Sequence, residues 1–313
     1  MNVRQNAPHQ ASGHTIPAIL FANAKAGRGG RWLFAAIGEC EAQGLRVQAV
    51  HFALEASRVR EALRAAEKSN VGTVLVAGGD GSIASVLQHL IHTDFKLGIL
   101  PAGTGNDFAR SLQIPMDARG AIAVIRAGST ARIDVGVVDG RVFGHAAIIG
   151  LNTEFAREAQ SLRRYLGWLS YPVASLRVYR RRTCIDIDID TQAQTRHVSA
   201  LQVAFVNASI AGGPLELKVQ GADVVDSAIT VLAVPDLGLS DVLRSLPFVL
   251  KTRSLNVRGS KCFTITQATV RSKRELTITI DGEDAGSTPA EILVDPAALQ
   301  VFVPEGFGAN CHV

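Results

Sequence analysis

Several short groups of glycine, hydroxyl and acidic residues have the types and spacing to do chemistry in this chain. The first is Gly78-Gly79-Asp80-Gly81-Ser82, which follows directly on the apolar run Val74–Ala77. Glycines at such a place let backbone N–H groups approach a phosphate that a Cβ would hold off. Ser82 is positioned to cap a helix expected over Ile83–Ile91, whose first-turn N–H groups favour an anion. Asp80 would repel a bare phosphate unless a divalent cation lay between them, so the group points to a Mg-nucleotide; a βα turn without ligand is the plainer alternative. A second glycine-rich turn, with Asn23, Lys25 and Gly27 in Asn23-Ala-Lys-Ala-Gly-Arg-Gly-Gly30, is phosphate-friendly but reads equally as an ordinary βα loop. In a third, Gly103-Thr104-Gly105-Asn106-Asp107, Thr104 can contact phosphate and Asn106 can cap. Asp107 either complements a helix start or adds a carboxylate beside Asp80, with Arg110 to balance them. Asp281-Gly282-Glu283 follows a strand and reads first as a hairpin turn. Asp134 by itself is a strand-edge residue.

These groups need a scaffold, and the hydrophobic pattern supplies one. Strands are expected at Ile16–Ala22, Arg46–Phe52, Val74–Ala77 and from Lys96, with helices over Trp32–Gln43, Ala56–Lys68 and Ile83–Ile91. Repeated strand-to-helix crossings predict an open parallel, Rossmann-like sheet whose crevice lies at the carboxyl ends of the strands. After Ser129 the pattern becomes alternating and β-branched: Ile133–Val138, Arg141–Ile149, Thr183–Asp190, Val198–Asn207, Ile229–Val234, Cys262–Arg271 and Leu276–Ile280. That predicts an antiparallel β-sandwich, interrupted by helices at Glu154–Val178 and Leu239–Lys251. The expected organisation is an N-terminal α/β domain over 1–134 and an all-β C-terminal domain over 135–297. A closing strand, Ala298–Pro304, could pair in either, so 298–313 could complete the first. Residues 1–15 and the last nine are expected to be loose.

Composition narrows the partners. With 313 residues, 47% of them hydrophobic, the chain can bury an enzyme-sized core. A net charge of +4 suits an anionic membrane or a nucleotide without selecting either, and an aromatic content of 5% gives no stacking platform for nucleic acid. Cys40, Cys184, Cys262 and Cys311 lack metal-ligand spacing and suit a reducing, cytoplasmic setting. No run has the length and apolarity of a transmembrane segment, so a lipid would have to be handled from the bilayer surface.

Taken together, Asn23–Gly27, Gly78–Ser82, Leu100-Pro-Ala-Gly-Thr-Gly-Asn-Asp-Phe-Ala-Arg110, Ile133–Gly136, Leu166–Tyr171, Asp281–Glu283 and Leu299–Pro304 resemble the diacylglycerol kinase catalytic family of lipid kinases. The match spans nearly the whole chain. The resemblance implies a nucleotide domain, a β-sandwich, and a cleft where a lipid hydroxyl meets the γ-phosphate of ATP. It further implies Asp281 or Glu283 as catalytic base, and Asp80, Asp107 and Asp134 as carboxylates holding Mg²⁺ partly through water. Asp226 matches a second Mg²⁺ position with the carbonyls of Ile229 and Val231. There the family pattern ends in Gly, where this chain has Ser227. The Thr-x-Asn-Glu with which bacterial members usually continue the first turn is replaced here by Ser82-Ile-Ala84-Ser85, and eukaryotic diacylglycerol kinases also lack Asn-Glu at that place.

The segment Arg157–Arg182 mixes Arg163, Arg164, Arg177 and Arg180 with Tyr165, Trp168, Tyr171 and Tyr179. It suits either docking on anionic headgroups at the inner face of the membrane or a solvated helix whose aromatics plug the sandwich. The implied partner is a lipid at the membrane surface; a homodimer stays open. Competing readings are a NAD kinase-like enzyme and a catalytically weakened nucleotide or lipid sensor.

Overall fold

The computed structural model describes residues 15–23, 29–150, 184–236, 238–255 and 259–308. The unbroken apolar run at the start forms strand β1 (Ile16–Ala22). It leads through helix α1 (Gly29–Ala42) to β2 (Leu45–His51), and helix α2 (Ala56–Lys68) follows. Next come β3 (Thr73–Gly78), α3 (Asp80–Leu87), β4 (Lys96–Pro101) and the short helices α4 (Asp107–Ser111) and α5 (Ala118–Ala127). The order β2-β1-β3-β4 is parallel throughout. β3 is buried at every position, which is why its sequence is a continuous apolar run without alternation. Because β1, β3 and β4 are neighbours, the three glycine-rich turns leave from adjacent strand ends.

Local details differ from expectation. α3 begins at Asp80, so Gly79 holds the N-cap position and Ser82 sits inside the helix, buried beneath Gly78, where it cannot cap. α1 likewise begins at Gly29 rather than Trp32. Both shifts extend the helix back into glycines, which single-residue propensity disfavours but which the tight exit from a buried strand requires.

The remaining strands are β5 (Thr130–Val138), β6 (Arg141–Phe143), β7 (Ala146–Gly150), β8 (Ile185–Asp190), β9 (Thr195–Ala200), β10 (Gln202–Val206), β11 (Ile210–Ala211), β12 (Leu217–Lys218) and β13 (Ile229–Val234). Helix α6 (Leu239–Thr252) precedes β14 (Lys261–Ile265), β15 (Gln267–Ser272), β16 (Thr277–Ile280), β17 (Glu283–Ser287) and β18 (Ala290–Phe302). One antiparallel sheet runs β14-β13-β10-β7-β16-β17. It faces β18, β15, β8, β9, β5 and β6 across a core that includes Ile187, Phe205, Val231, Val270 and Ile292. The result is a β-sandwich beside the parallel sheet.

β18 joins the two. It pairs in parallel with β4 at Gln300 and Val301, and antiparallel with both β5 and β15. A continuous mixed sheet therefore runs from the nucleotide-type half into one face of the sandwich. The boundary expected near residue 134 falls inside β5, and the closing strand starts at Ala290 rather than Ala298. Residues 305–307 form a turn closed by the Phe307 N–H on the Pro304 carbonyl (3.1 Å), with Phe307 packed on the core of the parallel-sheet half, where a loose tail was expected. Among the described residues no helix is long and apolar enough to cross a membrane.

Candidate active site

The third glycine-rich turn is the centre of the site. Asn106 adopts left-handed φ (55°) and closes the turn on itself: its Oδ1 accepts from the Gly103 N–H (2.9 Å) and its Nδ2 donates to the Gly103 carbonyl (3.0 Å). It occupies the N-cap position of α4 without making a side-chain cap bond to the helix. Gly79 and Gly103 touch across the β3 and β4 exits; a Cβ on Gly103 would stand 2.5 Å from the Gly79 Cα. Real Cβ atoms do not approach so closely, so both turns need glycine there.

The two carboxylates of these turns come together beside Gly105. Asp80 Oδ1 accepts from the Phe108 N–H (3.0 Å), and Asp107 Oδ1 accepts from the Gly213 N–H (2.7 Å). The Oδ2 atom of each lies beside Gly105, at 3.2 Å (Asp80) and 3.8 Å (Asp107) from where a Cβ on that glycine would stand. Burial raises the Asp107 pKa; the charge of His145 opposes the rise, that of Asp80 adds to it, and the N–H groups of Gly213 and Gly212 oppose it. Arg110 does not balance these carboxylates. Its Nε donates to the Gly105 carbonyl (3.1 Å) and its guanidinium pairs with Glu216, which also binds Arg253 (3.0 Å).

Asp281 enters from the sandwich. Asp281 and Gly282 (φ 47° and 91°) form a two-residue hairpin turn between β16 and β17, so the turn reading of Asp-Gly is right. The same side chain also has a second role. Its Oδ2 accepts from the Gly144 N–H (2.9 Å) and its Oδ1 from the N–H groups of His145 and Ala146 (3.0 Å each). Three successive backbone donors form a nest for this one carboxylate. Burial still raises its pKa, against the charge of His145 and those three N–H groups. Glu283 is exposed at the start of β17.

This nest explains why Arg141–Ile149, expected as one strand, is split at Gly144-His145 into β6 and β7: the N–H groups there turn to Asp281 instead of a neighbouring strand. Asn207 secures the corner. Fully buried, it donates from Nδ2 to the carbonyls of Asp134 (3.0 Å) and Gly144 (2.9 Å), and its backbone N–H donates to the His145 carbonyl (2.9 Å). His145 Nε2 lies 2.8 Å from the Ile210 carbonyl. Sequence reasoning missed His145 and Asn207 because nothing in their immediate neighbours marks them; an amide and an imidazole bracketing short apolar strands were the available signal.

Other expected residues lie elsewhere. Asp134 is buried, and its carboxylate accepts from the N–H groups of Ser227 (2.7 Å) and Ala297 (2.8 Å). Asp226 Oδ1 accepts from the Ala228 N–H (3.0 Å); burial raises its pKa, that bond opposes the rise, and Asp223 and Asp134 add to it. Ile229 and Val231 are buried in β13, which has strands on both edges. Where the family pattern has glycine, Ser227 adopts φ 57°, and its N–H bond to Asp134 offsets a left-handed cost of roughly 1–2 kcal/mol. Ser85 donates to the Gly81 carbonyl inside α3 (2.9 Å). Asn23 follows β1, with its N–H on the Ala77 carbonyl (3.2 Å). Lys25, Gly27, the expected helix Glu154–Val178 and the basic aromatic segment Arg157–Arg182 lie outside the described residues.

Comparison with known proteins agrees with this architecture. Residues 17–138 match the diacylglycerol kinase catalytic domain, and residues 145–303 match the YegS C-terminal NAD kinase beta sandwich-like domain. A diacylglycerol kinase of Mycobacterium tuberculosis is 31% identical over 258 residues, covering 80% of this chain and 82% of that protein. An uncharacterized Synechocystis protein is 27% identical over 79% of this chain, a match that spans 58% of its own length. The crystal structure of a Bacillus anthracis diacylglycerol kinase superposes with a TM-score of 0.73 at 20% identity, covering 93% of this chain and 98% of that one, which supports the fold. With both domain families matched in order and a relative of this similarity along most of its length, the chain belongs to the diacylglycerol kinase family.

Proposed function

We propose that this chain transfers the γ-phosphate of ATP to the hydroxyl of a diacylglycerol-like or sphingoid lipid, with Mg²⁺ held at Asp80 and Asp107. The observation that carries the reading is the pair of Oδ2 atoms beside Gly105, one from each glycine-rich turn, together with a half-buried carboxylate, Asp281, on the sandwich side. Among the described residues no group of three or more His, Cys, Asp or Glu side chains could hold a metal by itself. Two carboxylates completed by phosphate oxygens and water are the habit of Mg²⁺, so the residues present fit that ion. Bound there, Mg²⁺ would neutralise charge on the transferring phosphate.

The chain's own groups supply the rest. Backbone N–H groups of the Gly78–Gly81 and Gly103–Gly105 turns hold phosphate oxygens, as their lack of Cβ atoms allows. Asp281 takes the proton of the acceptor hydroxyl through Oδ2, which spends one lone pair on Gly144, whereas Oδ1 accepts two N–H groups. Its raised pKa brings it nearer to neutrality, where a base is more effective. Glu283, exposed and one residue past the turn, is the weaker candidate.

Incubating the purified protein with labelled ATP and Mg²⁺ against diacylglycerol, sphingosine, ceramide and phosphatidylglycerol tests this directly. A phosphorylated lipid that disappears with EDTA is the expected product, and no lipid product with any acceptor would defeat the reading. NAD belongs in the same panel, because the C-terminal match is described as NAD kinase beta sandwich-like.

A further inference from the structure

The two halves of the site are held by different segments; the chain entering the clasp is tied to the Asp281 corner by the Asn207 and Ala208 N–H groups on the His145 carbonyl (2.9 and 3.2 Å), and the His145 ring adds a side-chain link to the clasp itself. Asp107 is gripped by a clasp, residues 210–216, through the Gly213 N–H. This clasp is tightly wound: Gly212, Gly213 and Glu216 all have positive φ (82°, 59° and 48°). It lies directly on the phosphate turn, since a Cβ on Gly213 would stand 3.2 Å from the Gly105 Cα. At its start the Ile210 N–H donates to Ser111 Oγ (2.9 Å). Asp281, by contrast, is held by the Gly144–Ala146 corner.

His145 belongs to both. Its backbone N–H holds Asp281, and its ring Nε2, 2.8 Å from the Ile210 carbonyl, holds the clasp. A carbonyl only accepts, so Nε2 carries the hydrogen in this bond. Electrostatically the ring acts on Asp107 and on Asp281 alike.

From this linkage we infer that His145 is a positioning residue that sets the placement of Asp281 relative to Asp107 by tying the Asp281 corner to the clasp through the Nε2–Ile210 bond. The inference rests on the kinase reading for its kinetic readout but has an independent structural one. Misplacing a catalytic group by about 1 Å can cost on the order of 100-fold in rate. Loss of the ring should thus lower kcat while leaving the phosphate turns able to bind nucleotide.

The test compares His145→Ala and His145→Gln with the wild type in the full chain. Gln retains an N–H donor of similar reach, whereas Ala has none. With ATP and the best acceptor of the lipid panel, His145→Ala is expected to lose about 10- to 100-fold in kcat with the KM for ATP changed by about twofold or less, and His145→Gln to recover most of that loss. An unchanged kcat in His145→Ala, a loss confined to KM, or a Gln variant no better than Ala would each overturn the inference. If the wild type transfers no phosphate, the kinase reading fails and amide hydrogen exchange decides this one. The Ile210 and Gly213 amides should then exchange roughly fivefold or more faster in His145→Ala and near the wild-type rate in His145→Gln. Equal exchange in all three proteins would overturn it.

Discussion

Asp281 shows how one residue can be both a turn former and a half-buried acid. Its left-handed φ suits an Asp-Gly hairpin, and its carboxylate fills a nest of three N–H groups. Asp281→Asn is expected to lower turnover about 100-fold or more while nucleotide binding, followed by a fluorescent ATP analogue, is retained. The same variant has a signature in stability. Burial raises the folded-state pKa of Asp281 above its ordinary 3.8, so protonation favours the folded state below that value. This contribution is lost as pH climbs through the raised folded value, because the native state must then hold a buried charge. Removing the carboxyl removes the loss. The Tm difference between Asp281→Asn and wild type should therefore move in the variant's favour from about pH 4 to about pH 7; a pH-independent difference would show that Asp281 ionises in the fold as it does in the unfolded chain. Ser227 offers a simpler case. Ser227→Gly relieves a positive φ but frees the unfolded chain, so a gain in stability of about 1 kcal/mol or less is expected in urea unfolding, with the Asp134 contact kept because it comes from the backbone.

At the scale of elements, the glycine-rich turns divide into positions that need a missing Cβ for packing and positions that need it only for a ligand. Gly103 is of the first kind, with the Gly79 Cα and Asn106 Oδ1 at 2.5 and 2.8 Å from its would-be Cβ. Gly103→Ala is expected to cost about 1–3 kcal/mol by overpacking, read as a lower urea midpoint. Gly81 is of the second kind, since nothing lies within 4 Å of its would-be Cβ and it sits inside α3. Gly81→Ala should stabilise by roughly 0.5–1 kcal/mol, yet raise the KM for ATP if the backbone there meets phosphate. Stability and affinity moving in opposite directions is the outcome to look for. These elements were legible in the sequence to different depths. β1, α2 and β13 follow from local patterns that tertiary contacts do not override, and they occur at the bounds the pattern predicts. Val198–Asn207 and Cys262–Arg271 each read as one strand but divide near Leu201 and Thr266, where the chain passes between sheets. No local signal separates a long strand from two short ones that turn a corner. The acidic members of the site were visible as residue types, whereas their partners, Gly213, His145 and Asn207, are set by contacts from more than sixty residues away in sequence.

On the scale of the molecule, β18 decides whether the two halves behave as one. Its outer end pairs with β15 and its inner end with β4, with β5 alongside through a bulge between Asp295 and Leu299. At that bulge the Ala297 N–H is bound by Asp134, and His92, which follows α3, bonds Asp295 (2.7 Å). Leu299 is fully buried in the core of the parallel-sheet half, while Ile292 on the same strand is fully buried in the sandwich core. A strand that contributes to both cores transmits the loss of either. Leu299→Ala is expected to cost about 2–5 kcal/mol, from lost burial plus the cavity left behind. Because the sheet is continuous, that cost should lower one shared transition rather than split it. In a Trp168→Phe background, which leaves Trp32 as the one tryptophan, far-ultraviolet circular dichroism, which weighs the whole fold, and fluorescence of Trp32, which packs against the core of the parallel-sheet half, should report the same midpoint with and without Leu299→Ala. Two separated midpoints would mean that β18 couples the halves too weakly for the continuous sheet to act as a unit. In that case the spacing between Asp107 and Asp281 would rest on the clasp and the His145 corner alone.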